Sequence, residues 1–198
     1  MHYDRHAVLW LLALATIACT GDQPDAALDT NSPEAVEARC AGGLAPVVTA
    51  GGIGPVRLGA RPSEIAERCP VRDTTLAMEG TEEPASLVRV AGGSVIVMTA
   101  ADSTITRIIV RDTSYRTERG VGVGSTVGDL RLGHGRICAM NGEGEIVVAA
   151  AQMPGISFAT SAPAGSIRNM ENDASLLPDT TTITRLWIYD GEALCGGS

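Results

Sequence analysis

Beyond residue 50 the apolar positions of this chain fall mostly on short runs that alternate with polar residues or are dense in Val, Ile and Thr: Ser86 to Ala91, Ser94 to Thr99, Thr104 to Val110, Glu145 to Ala151, Ile156 to Thr160 and Ile183 to Tyr189. Successive side chains of a strand point to opposite faces, so such runs predict strands. Gly92-Gly93 and Ala101-Asp102-Ser103 stand between neighbouring runs as hairpin turns. Two short stretches have helical spacing instead. Thr126 and Asp129 are set three apart as in a capping box, with Val127 and Leu130 turned inward. Earlier, Pro62 suits a first helical turn, and Ile65, Ala66 and Cys69 make one face.

The order of these elements occurs twice. Thr104-Ile105-Thr106-Arg107-Ile108-Ile109-Val110-Arg111-Asp112 is echoed by Thr182-Ile183-Thr184-Arg185-Leu186-Trp187-Ile188-Tyr189-Asp190. Upstream, Gly54-Pro55-Val56-Arg57-Leu58-Gly59 before Ser63-Glu64-Ile65 parallels Gly120-Val121-Gly122-Val123-Gly124 before Gly128-Asp129-Leu130. The predicted class is therefore α+β: two tandem repeats of short strand, short helix and antiparallel β-meander, residues 50–116 and 117–198, joined by the connector Arg111 to Arg119.

The amino-terminal residues have a different composition. Arg5 is followed by an apolar run from Ala7 to Ala18 that ends in small residues before Cys19, the anatomy of a secretory signal peptide over residues 1–18. The run falls short of the about 20 apolar residues that cross a bilayer as a helix. Thr20 to Pro33, rich in Thr, Asp, Pro, Ala and Gly, reads as a flexible tether, within an amino-terminal segment spanning residues 19–49. Thr16-Ile17-Ala18-Cys19 resembles the lipobox of bacterial lipoproteins, although Thr16 stands where the family prefers Leu. That resemblance implies acylation of Cys19, and Thr20 in place of Asp implies the outer membrane, facing the periplasm.

Cysteine arithmetic agrees with export. Five cysteines leave one over, and lipidation of Cys19 accounts for it. The other four can form two disulfides in an oxidising compartment, and none lies in a C-x-x-C motif. Three pairings are open; the expected one is Cys40–Cys69 with Cys138–Cys195, one bridge for each half.

The formal net charge of −8, with every basic residue an arginine, argues against nucleic acid or an anionic membrane surface as the main partner. Catalytic devices are scarce. The single histidine beyond the leader, His134, sits in Gly133-His134-Gly135 with Ser125 and Asp129 nearby in sequence, but there is no Gly-x-Ser-x-Gly elbow, and an exposed turn residue is expected. The glycines of Gly120 to Thr126 lack the lysine of a phosphate loop, and Val127 stands where a dinucleotide fingerprint needs glycine, so a tight turn is expected there. Glu79 to Glu83, Asn141 to Glu145 and Glu171 to Asp173 lack calcium-loop order and read as solvated hairpin tips or loops. No metal and no cofactor is expected.

The stretch from Thr117 to Leu130, continuing to Gly135, resembles a strand–turn–helix opening of uncharacterised bacterial lipoproteins. The tandem plan from Gly54 to Asp190 is similar in outline to the fold of the outer-membrane assembly lipoprotein BamE and the β-lactamase inhibitory proteins, although each repeat here has one helix where that fold often has two. Those are binding proteins, so the resemblance implies a non-catalytic protein-binding module in the cell envelope, with a lipid anchor in the membrane and another envelope protein as partner. The alternative is a periplasmic hydrolase or small-ligand carrier built on His134 and nearby carboxylates. The binding residues follow from alternation on the last strand of each repeat. Thr106, Ile108 and Val110, with Thr184, Leu186 and Ile188, should pack under the helices, leaving Arg107, Ile109, Arg111, Arg185, Trp187 and Tyr189 on the opposite face. Arginine, tryptophan and tyrosine dominate binding hot spots.

Overall fold

The structure is a computed structural model that describes residues 46–78, 80–142, 144–167 and 174–191, together with Ala35, Val36, Cys40, Leu194 and Cys195. The signal peptide, Cys19, the tether, Glu79, Glu143 and Glu171 to Asp173 lie outside the described residues.

Strands β1 (Val47–Thr49), β2 (Gly52–Ile53) and β3 (Val56–Arg57) open the fold and are followed by α1 (Pro62–Ala66). A meander comes next: β4 (Val71–Met78), β5 (Thr81–Val90), β6 (Gly93–Thr99) and β7 (Ile105–Val110). Then follow β8 (Arg116–Thr117), α2 (Val127–His134), and a second meander of β9 (Ile137–Asn141), β10 (Glu145–Ala150), β11 (Ile156–Pro163) and β12 (Ile183–Tyr189), with a 3-10 turn at Ala174–Leu176 before β12. Both meanders belong to one eight-stranded antiparallel sheet of order β4-β5-β6-β7-β12-β11-β10-β9, and β3-β2-β1-β8 form a small second sheet.

The expected α+β class is corrected by this arrangement. The chain is mainly β, and helices α1 and α2 are a five-residue and an eight-residue segment. Helices this short bury too little to define a layer of their own. Local alternation divides the strands between two helix-bearing sheets because it carries no information on the pairing of β7 with β12, which fuses the meanders. Strands β4 and β9 are additions to the expected set.

The main core lies between one face of the large sheet and a lid made of the small sheet and both helices. Val48, Ile53 and Val56 from the small sheet, Ile65 from α1, and Val127 and Leu130 from α2 meet Val88, Val97, Ile108, Val148, Phe158 and Leu186 of the large sheet. The α2 cap is as expected: Thr126 Oγ1 accepts from Asp129 N–H, and the Asp129 carboxylate accepts from Thr126 N–H. The glycine turn before it works through conformation and close approach, with Gly124 at φ 85° and Gly122 packed so that a Cβ would lie 2.3 Å from the Tyr115 carbonyl oxygen.

Tyr115, in the expected connector, is fully buried, and its hydroxyl donates to the Val90 carbonyl at 2.6 Å. Desolvation pushes its pKa well above the ordinary range. The disulfides are Cys40–Cys69 and Cys138–Cys195, the expected pairing, with Cα separations of 4.8 and 5.4 Å. The second pins the carboxyl-terminal region to the large sheet, where Cys138, Ala149 and Cys195 form a small cluster.

Candidate functional site

The face of the large sheet that points away from the main core is its outer face. The pairing of β7 with β12 sets Trp187 opposite Ile109 and Tyr189 opposite Arg107, and β6 adds Ile96 beside Ile109. All six residues expected on this face lie on it, but their exposure differs. Arg111 is exposed; Arg107, Arg185, Trp187 and Tyr189 are half-buried; Ile109 is only 2% exposed.

The cover over Ile109 is the β4–β5 hairpin, which curls over the outer face. Leu76, Ala85 and Ile109 form a second apolar cluster, with Met78, Ile96, Met98 and Trp187 packed against it. The Arg107 guanidinium approaches the Met78 sulfur at 3.8 Å. Leu76 and Met78, two apart on a strand the sequence reading passed over, are thus site residues it missed; their i, i+2 spacing is the signal that could have found them.

The two arginines bracket the indole. The guanidinium carbon of Arg185 lies 5.2 Å from the Trp187 ring centroid and that of Arg107 lies 5.6 Å from it, both in cation–π range. Arg185 also reaches across β11, where its register partner is the small Ala159, to form an ion pair with Glu145 on β10. Glu145, expected at a solvated tip, is only 18% exposed because its side chain sits under this arginine. Trp187 Nε1 is buried with no hydrogen-bond partner among the described residues. Beside the ring is a cavity of about 30 Å³ lined by Leu76, Met78, Ile109, Arg111, Arg185 and Trp187. Burial raises the Tyr189 phenol above its ordinary value, opposed by the Ser157 hydrogen bond and by Arg107.

The strands are irregular at one end. In β7, Met98 pairs with Arg107 and Thr99 with Ile105, so Thr106 is the extra residue of a bulge; in β12, Ala159 pairs with Arg185 and Thr160 with Ile183, so Thr184 is. Thr106 and Thr184 are therefore exposed and do not pack under the helices as alternation predicts, while Ile105 and Ile183 turn into the main core. Each threonine hydroxyl donates to a carbonyl of the partner strand, of Met98 at 3.4 Å and of Ala159 at 3.3 Å.

His134 corrects another expectation. It ends α2 and is 6% exposed, not a solvated turn residue. Its Nε2 lies 3.2 Å from Thr117 Oγ1, and that oxygen accepts from Val121 N–H. Burial, and then Arg119, lower its pKa below 6.5. It lines an open cleft of about 300 Å³ with Thr49, Thr117, Glu118, Arg119 and Gln152. Ser125 and Asp129 are occupied elsewhere: Ser125 Oγ accepts from Gly122 N–H, and Asp129 caps α2. No serine–histidine–aspartate relay is assembled from them.

A third depression, about 390 Å³, lies between Pro70, Arg72, Leu87, Arg89, Ser94 and Asp112. The Asp112 carboxylate accepts from the N–H groups of Ser94 and Ser114 and from the Ser114 hydroxyl, and these bonds hold its pKa below the usual carboxylate range.

No protein-family model matches the chain, and no curated protein matches it. Among solved structures it is similar to the uncharacterised protein YfeY from Escherichia coli, at 18% identity and a TM-score of 0.48, over 72% of this chain and 98% of that one.

Proposed function

We propose that this chain is an exported cell-envelope lipoprotein, anchored through acyl chains on Cys19 to the outer membrane and facing the periplasm, that serves as a non-catalytic protein-binding module. The observation that carries the reading is Trp187: a half-buried indole on the outer face of the sheet, held between Arg107 and Arg185. Its surroundings supply donors, since the Arg107 and Arg111 guanidiniums lie beside the ring while the nearby carboxylate, Glu145, is engaged by Arg185. A partner that brings carboxylates or aromatic rings satisfies these groups, and a preformed arginine–tryptophan stack loses little rotamer freedom on docking.

The test is crosslinking and capture from native membranes with the wild-type chain and with Trp187→Ala combined with Arg185→Glu. The double variant is expected to be exported, to form both disulfides and to lose the captured partner; an unchanged partner set removes this site. The anchor is tested separately. Cys19→Ala should move the protein out of the membrane fraction, because acyl chains supply the membrane affinity; unchanged partitioning rules lipidation out.

A second reading, a periplasmic hydrolase or small-ligand carrier, draws on the cleft where His134 meets Glu118 and Arg119. It requires a ligand whose binding is lost in His134→Gln and kept in Trp187→Ala. Thermal-shift screening of small anionic and ester compounds on the two variants discriminates the readings.

A further inference from the structure

The large sheet has two edges, and they are treated differently. At one, β9 lies against the 3-10 turn Ala174–Leu176 and carries Cys138, whose disulfide holds Cys195 there. At the other, β4 runs eight residues in continuous register with β5, with no proline, glycine or bulge. Natural edges are usually blunted by such devices, because unpaired backbone groups recruit another strand.

The direction of the free groups follows from the ladder. Arg89 N–H donates to the Pro70 carbonyl at 3.0 Å. Bonded and non-bonded residues alternate in an antiparallel pair, so Arg72, Thr74, Leu76 and Met78 bond to β5, and the N–H and C=O groups of Val71, Asp73, Thr75 and Ala77 point away from it. Among the described residues no backbone group is paired with them.

The hairpin curls so that this edge overhangs the outer face: Leu76, Ala77 and Met78 share a cavity wall with Arg111, Arg185 and Trp187. By register and alternation that face carries Arg72, Arg89, Arg107, Arg111 and Arg185 against Glu83 and Glu145 among the described residues, and the Asp112 carboxylate adds a third negative charge beside Arg72 and Arg89, which leaves a net cationic surface on a chain of net charge −8. Asp73 and Glu82 alternate to the other face.

We propose that the free edge of β4 is a strand-addition site for an extended acidic segment of the partner protein, which pairs its backbone with Val71 to Ala77 and sends alternate carboxylates toward the arginines of the outer face. This rests on the outer face being the docking surface and specifies how it is used. Backbone pairing supplies affinity without regard to sequence, and every second side chain of the added strand faces the arginines and supplies selectivity.

The probe is a fluorescent peptide of roughly ten residues, the length of a long strand, alternating Glu and Val, titrated by anisotropy onto the full chain with both disulfides intact. It should bind; the Lys–Val counterpart and a Glu–Val peptide N-methylated at alternate amides should each bind roughly tenfold more weakly or worse. Thr75→Pro removes one outward N–H without taking a bond from the β4–β5 ladder, which edge strands tolerate, and should weaken the parent peptide to the same degree. Four results overturn the proposal: no binding of the Glu–Val peptide, equal binding of the Lys–Val peptide, equal binding of the N-methylated peptide, or a concentration-dependent dimer of the wild type that Thr75→Pro dissolves, which would make a second copy the occupant. If Thr75→Pro loses its near-ultraviolet circular dichroism, the N-methylated peptide decides alone. Membrane capture that is lost in the Trp187 and Arg185 double variant, together with peptides insensitive to N-methylation, would retain the docking face and remove strand addition.

Discussion

Ile109 and Trp187 are register partners across β7 and β12, and they hold the same place in the two Thr-Ile-Thr-Arg runs. Two like strands that pair antiparallel about equivalent residues are related by a local two-fold axis between those residues. On the outer face this axis sets a branched aliphatic side chain beside an indole: Ile109 is sealed under the hairpin, and Trp187 remains half-exposed. One partner serves packing, and the other is left for recognition.

Truncating the indole tests how far it also holds the hairpin down. Trp187→Ala is expected to destabilise by about 2–3 kcal/mol, from lost apolar burial against the second cluster and lost stacking with two arginines. Trp187→Phe keeps a ring on the same floor and should cost less than half as much. Urea denaturation of the three proteins checks the order, and equal midpoints for wild type and Trp187→Ala would show that the hairpin is held without the ring.

Tyr115 and Gly93 are a second coupled pair. A Cβ on Gly93 would lie 2.6 Å from the Tyr115 hydroxyl oxygen and 2.8 Å from Ser114 Oγ. Gly93→Ala should destabilise by about 1–3 kcal/mol through overpacking, and Tyr115→Phe by about 1–2 kcal/mol because the Val90 carbonyl loses its donor. In the double variant the missing hydroxyl relieves part of the clash, so the losses should sum to less than the two single effects; strict additivity in thermal melts argues against this contact.

His134 predicts a pH dependence. Its folded pKa is held below 6.5, so the unfolded chain binds a proton at a higher pH than the folded one does. Stability from the buried neutral imidazole is full above 6.5, declines as pH falls from there toward the depressed folded value, and levels off below it. His134→Gln should remove that slope while leaving the carboxylate slope at lower pH. Denaturation midpoints taken through this window would show the same slope in both proteins if His134 were not its source.

The disulfides close intervals of 29 and 57 residues. On chain-entropy grounds each stabilises by about 3.5–4 kcal/mol, the longer one slightly more. Cys138→Ser with Cys195→Ser should lower stability by about that amount and free the carboxyl-terminal region, which limited proteolysis would detect as cleavage near residue 190. Resistance equal to wild type would mean that the segment is held by its other contacts.

Much of the strand content was legible because alternation is a local property: β6, β7, β10, β11 and β12 and their turns follow from residue order, as do the α2 cap and the positions of Arg107, Arg185, Trp187 and Tyr189 on one face. Strands β4 and β9 were not legible. Val71 to Met78 is half polar and bends away from the core, so its burial changes face along its length, inward at Val71 and outward at Leu76 and Met78. Thr106 and Thr184 were misplaced because a bulge adds one residue and reverses the alternation behind it.

Sequence by itself determined most of the extended segments and, outside the two bulges, which side chains share a face of a strand, because periodicity and turn chemistry act over short distances along the chain; among three possible cysteine pairings it only favoured the one with a bridge in each half. Tertiary structure decided that the meanders are one sheet, that His134 is buried against Thr117, that Glu145 sits under Arg185, and that the β4–β5 hairpin covers Ile109 but leaves Trp187 half-open. Each of these depends on which strand becomes the neighbour of which and on the twist accumulated across eight of them, and twist is a property of the assembled sheet rather than of any segment within it.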